Sequence, residues 1–125
     1  MGILDGLLGN ASEMSPEKLQ KELEPFLIPG EQVQVAYKII RDGFVFTNKR
    51  LILIDKQGVT GSKVEYMSVP YKSIIRFAKE SAGTFDLDAE LKIWLSSTHE
   101  PIVKKFNKSA NINDVYAMLS RYVLG

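Results

Sequence analysis

Between Glu31 and Asn107, apolar residues recur at every second position in short runs divided by turn-forming residues, the period of strands that send alternate side chains to opposite faces. Val33, Val35, Tyr37 and Ile39 alternate with Gln32, Gln34, Ala36 and Lys38, and Asp42-Gly43 offers a type I′ turn into Phe44-Val45-Phe46. Asn48-Lys49 makes the next tight turn, into Arg50 to Asp55. A looser connection over Gly58 to Ser62 leads to Val64 to Val69, which Pro70 ends. Ile74 to Lys79 follows, then a break at Ala82-Gly83, a strand over Glu90 to Ser96, a turn over Thr98 to Pro101, and Ile102 to Phe106. The pattern predicts seven consecutive strands.

The ends of the chain have a helical period instead. Ser15-Pro16-Glu17 supplies an N-cap, a proline at the first helical position and a carboxylate near the positive end of the dipole. Leu19, Leu23, Phe26 and Leu27 give that short helix one apolar stripe, and Pro25 with Pro29-Gly30 stops it. At the other end Asn111 is the N-cap and Asp114 stands in the capping-box position. Ile112, Val115, Tyr116, Leu119, Tyr122 and Val123 then form one broad apolar face. A helix of this kind must cover something, so seven strands and one helix predict a strongly bent sheet or small barrel with its open end plugged by Leu119 and Tyr122. The chain divides into an N-terminal arm and short helix over 1–29 and a barrel with its capping helix over 30–125.

Two runs break the alternation. Phe44-Val45-Phe46 and Leu51-Ile52-Leu53-Ile54 are apolar on both faces, whereas a sheet with one wet face alternates. The second face needs a cover, from the N-terminal helix, the arm or another copy of the chain. Phe44, Phe46, Ile52 and Ile54 are therefore candidates for a subunit interface.

Composition narrows the function. At 125 residues and 45% hydrophobic, the chain has the size and content of one folded domain. Sixteen Lys+Arg against 15 Asp+Glu leave a net charge of +1, too little to draw it to nucleic acid. No cysteine and a single histidine, His99, remove thiolate chemistry and His- or Cys-ligated metals, so no metal or cofactor is expected. In the arm, Ile3, Leu4, Leu7 and Leu8 are interrupted by Asp5 and glycines and lack the basic start of a secretory signal, which places the protein in the cytoplasm. With no Lys or Arg, the arm is better suited to docking on this domain or on a neighbouring subunit than to a membrane surface.

The run from Phe44 through Thr47-Asn48-Lys49-Arg50 to Gly58, followed by Pro70-Tyr71-Lys72-Ser73-Ile74, resembles the bacterial pleckstrin-homology (PH-like) domain family. The similarity extends through Phe85 to Leu91, the C-terminal helix and the leading Gly-Ile-Leu-Asp-Gly-Leu-Leu-Gly arm. It implies two nearly orthogonal antiparallel sheets forming a seven-stranded, partly open barrel capped by one helix. It also implies a non-catalytic module that assembles as a ring-shaped homo-oligomer, a pentamer first among the possibilities, and binds a protein partner.

A phosphoinositide site, the alternative the family name invites, needs several Lys and Arg between the first two strands. Arg41-Asp42-Gly43 offers one arginine beside an aspartate. Asp86, Asp88 and Glu90 alternate with apolar residues, so three carboxylates share one strand face. Leu91 and Ser97 stand where a calcium loop requires glycine and glutamate, which excludes an EF-hand. The carboxylate row is either a solvated face, with cross-strand partners in Lys104 or Lys105, or a partner-binding surface that includes the outward Trp94.

Overall fold

The computed structural model describes residues 12–13, 15–39, 42–58, 62–80, 88–107 and 112–125. A two-residue strand β1 (Ser12–Glu13) precedes helix α1 (Pro16–Leu23), which opens as the sequence indicates, with Ser15 Oγ accepting from Lys18 N at 3.4 Å and Pro16 at the first position. Strands β2 (Val33–Ile39), β3 (Asp42–Thr47), β4 (Arg50–Gln57) and β5 (Lys63–Pro70) follow, then β6 (Ile74–Glu80), β7 (Asp88–Leu95) and β8 (Ile102–Asn107), and helix α2 (Ile112–Leu124) closes the chain. Every neighbouring pair is antiparallel, in two sheets ordered β1-β2-β3-β4-β5 and β6-β7-β8. All seven expected strands are present, and neither sheet closes into a full barrel.

The main core lies between the two sheets. Tyr37, Phe44, Phe46, Leu51 and Leu53 of the first sheet meet Leu91, Ile93 and Phe106 of the second. Helix α2 buries Val115 and Leu119 in this core and packs Tyr116, Tyr122 and Val123 against it. Tyr71 and Tyr122 stack at 5.0 Å, and Tyr122 on Phe46 at 5.6 Å, so the plug is continuous with the core.

A second core lies on the opposite face of the larger sheet, where α1 lays Leu19 and Leu23 over Val33, Ala36, Val45, Ile52 and Ile54. The two-faced apolar runs are thus explained within one chain. Phe44 and Phe46 have no exposed surface in the inner core, and Ile52 and Ile54 sit beneath α1. The four residues expected at a subunit interface are covered before any second copy arrives, so their pattern does not require one.

Two further expectations are corrected. Ile39 pairs with Asp42 and Lys38 with Gly43, so the chain reverses before Asp42, and Asp42-Gly43 is ladder rather than turn. The alternation of β2 also breaks at Gln34, where a register shift puts Val33 under α1 and Val35 and Tyr37 into the inner core.

Candidate functional site

The outer face of β6-β7-β8 carries Glu90 and Trp94, two of the residues singled out from the sequence. Successive rows across this sheet read Glu80, Glu90, Lys105; then Ala78, Lys92, Val103; then Arg76 and Trp94. Opposite side chains share a face, and Leu91 and Ile93 between these positions are fully buried, so Glu90, Lys92 and Trp94 of β7 point away from the core. Lys92 Nζ reaches diagonally to Glu80 Oε1 at 3.0 Å, and this carboxylate holds the Lys92 ammonium above its usual range. The Arg76 guanidinium carbon lies 4.7 Å from the Trp94 ring centroid, a cation-π contact.

Glu90 has Lys105 directly across the ladder but belongs to none of the ion pairs among the described residues. Lys104 cannot neutralise the row, because it alternates to the other side of β8, opposite Leu91, and lies 3.8 Å from Asp42 Oδ2 on the other sheet. Asp88 opens β7 with its backbone opposite Asn107. Asp86 lies outside the described residues. The structure therefore brings Glu90 and Trp94 onto one outer face with Arg76, Glu80, Lys92 and Lys105.

Sequence reasoning missed a second charged constellation. Ile28, Pro29, Gly30 and Glu31 form a turn closed by Glu31 N to Ile28 O at 3.0 Å, with Gly30 at φ 83°, the left-handed conformation that glycine adopts without a steric cost. This turn drives the Glu31 carboxylate under the sheet, where its side chain has no exposed surface. Arg50 grips it as a fork, Nε to Oε2 and Nη2 to Oε1, both at 2.8 Å. Thr47 Oγ1 donates to it at 2.7 Å and Ile28 N at 3.1 Å. The Arg50 hydrogen bonds, with those from Thr47 and Ile28, outweigh burial and hold the carboxyl at about 2. Arg50 also donates to Phe26 O and Ser68 Oγ, which ties the turn after α1 to β4 and β5. No spacing in the sequence links positions 31 and 50. The visible signal was only an arginine directly before the apolar run Leu51-Ile52-Leu53-Ile54.

The sequence model of the family described as Bacterial PH domain matches residues 2–123. An uncharacterized protein of Bacillus subtilis (strain 168), YjqA, is 55% identical over 121 residues, covering 96% of this chain and 97% of its own length. YozO of the same organism, also uncharacterized, is 35% identical over 103 residues, covering 82% of this chain and 88% of its own. The crystal structure of a pleckstrin homology domain from Shewanella amazonensis SB2B superposes with a TM-score of 0.86 at 56% identity, over 99% of this chain and all of that one. A DUF1696 family protein with a pleckstrin-homology domain from Shewanella loihica PV-4 gives 0.78 at 52% identity, over 92% of this chain and 98% of its own.

Proposed function

Because the chain belongs to the bacterial PH domain family, we propose that it is a non-catalytic binding module that assembles into a ring of like copies and presents the outer face of β6-β7-β8 to a protein partner. The observation that carries this reading is the face itself. Among the described residues no helix packs on it and Glu90 has no ion-pair partner, and the face combines an aromatic ring held by Arg76 with charges of both signs. Such mixed aromatic and charged surfaces are suited to partners that bring complementary charge and cover the ring.

Binding is favoured over catalysis because the displaced titrations are accounted for by contacts that hold the fold or the face together. Glu31 and Arg50 pair with each other, the Tyr71 phenol is raised by burial in the plug and donates to Thr47 O at 2.6 Å, and Lys92 is paired with Glu80. A protein partner is favoured over a phosphoinositide headgroup by the first hairpin. Its ladder runs to Ile39 and Asp42, leaving two residues where a phosphate-gripping loop would need a series of cations.

Assembly is supported by β5, which among the described residues is the last strand of its sheet with its outer edge unpaired, and which exposes Tyr66 and Met67. The test of the recognition face is a Glu90→Gln, Trp94→Ala variant in the full chain. We expect unchanged fold and oligomer mass, with loss of the partner recovered by pull-down from native cytoplasm. Undiminished capture would remove this face from the function, and a collapsed oligomer would reassign it to the subunit contact.

A further inference from the structure

The larger sheet carries a recess on its outer face, away from the surface assigned above. One cross-strand row, Lys38, Gly43, Ile54 and Tyr66, runs over β2, β3, β4 and β5. With Leu19 and Glu22 of α1 it lines a groove of about 120 Å³. That is close to the size of a cavity that takes a benzene-sized group, so the groove has room for one leucine-sized side chain. The low point of the row is Gly43. Its φ is not positive, and a Cβ built there would meet Ile54 Cβ at 3.5 Å, an ordinary contact. Neither the backbone nor the neighbours require glycine, although glycine inside a strand costs about 0.5 to 1 kcal/mol relative to alanine. Its effect is to keep the row open, as strand glycines do where another segment approaches closely.

The free end of the row indicates which segment. β1 pairs Ser12 with Lys38, so the chain enters the sheet at the end of this same row, with residues 1–11 preceding it. Those residues hold Ile3, Leu4, Leu7 and Leu8, and their one charged side chain is Asp5. Lys38 and Lys56 line the groove together with Glu22 and Asp42, so its wall carries charges of both signs, and the two lysines, which belong to none of the ion pairs among the described residues, are the positions that could take that carboxylate. Reach is ample. Crossing from β2 to β5 takes about 14 Å at roughly 4.8 Å per strand, and extended chain covers about 3.3 Å per residue.

We propose that the N-terminal arm of the same chain lies along this groove, setting an aliphatic side chain against Leu19, Ile54 and Tyr66 above Gly43. The groove is then the arm's own receptor and completes the cover that α1 begins. Nuclear Overhauser contacts in full-length, methyl-labelled protein test this directly. Leu7 or Leu8 methyls are expected to contact the Tyr66 ring, and the contacts should persist when labelled chains are diluted into unlabelled chains before assembly. Absence of any contact between the arm and the groove would overturn the proposal, and so would contacts that vanish on dilution, which would place a neighbouring copy's arm there. In a Gly43→Val variant, which fills the low point of the row, the contacts should disappear and amide exchange of residues 1–11 should rise at least about tenfold. Unchanged arm protection in a folded Gly43→Val protein would also overturn it. None of these readouts depends on a protein partner or on ring formation.

Discussion

Glu31 is charged, has no exposed side-chain surface, and is 19 positions from the arginine that holds it. Burying a lone carboxylate is costly, and only the fork of Arg50 with the Thr47 hydroxyl and the Ile28 amide makes this position tolerable. Glu31→Gln keeps the shape, leaves the guanidinium half-buried without its anion, and should destabilise the domain by about 3 to 5 kcal/mol in chemical denaturation. Its acid response should change as well. The folded carboxyl titrates near 2 against an ordinary 4.5, so its stabilisation is fully present above about pH 4.5 and is lost as pH falls towards 2. Thermal melts between pH 5 and 2.5 should therefore fall more steeply for the parent than for Glu31→Gln. Parallel slopes would show that the ion pair is not the titrating element.

At the scale of elements, the domain is closed by two helices doing different work. Helix α2 plugs the space between the sheets, with Leu119 wholly buried and Lys79 Nζ donating to Asn113 Oδ1 at 2.6 Å to fix its start against β6. Leu119→Ala should cost about 2 to 5 kcal/mol, and an unaltered melting temperature would show that the plug does not hold the sheets. Helix α1 instead covers the outside of the larger sheet, and its entry depends on Ser15. Ser15→Ala should cost about 0.5 to 2 kcal/mol and raise amide exchange in the first turn of α1 before that of β2.

At the scale of the whole molecule, the two sheets have edges that no strand among the described residues pairs. β5 is eight residues long and ends its sheet with Tyr66 41% and Met67 36% exposed, a surface that invites a second chain. Static light scattering after size exclusion should give several times 14.0 kDa for the parent protein. Met67→Lys, which places a charge at that edge, should reduce the mass while leaving circular dichroism unchanged. A parent that runs as a monomer at micromolar concentration would remove the ring.

Seven strands, both helices and the helical plug could be read from residue order alone, because period-2 and period-3.6 patterning and the N-cap at Ser15 are local properties of the chain, while the N-cap expected at Asn111 lies outside the described residues. The outward position of Trp94 was legible for the same reason, since β7 keeps its alternation to Trp94 and the register shift beside it takes its extra residue from β6. Tertiary structure decided what local pattern cannot contain. Phe44, Phe46, Ile52 and Ile54 read as surfaces in search of a partner because a two-faced apolar strand looks the same whether a helix of its own chain or a second copy covers it. The turn at Asp42-Gly43 moved because hairpin register is set by the whole ladder, and Lys38 already claims Gly43. Glu31 and Arg50 met because the turn after α1 and the opening of β4 converge in space, and a buried ion pair has geometry but no sequence period.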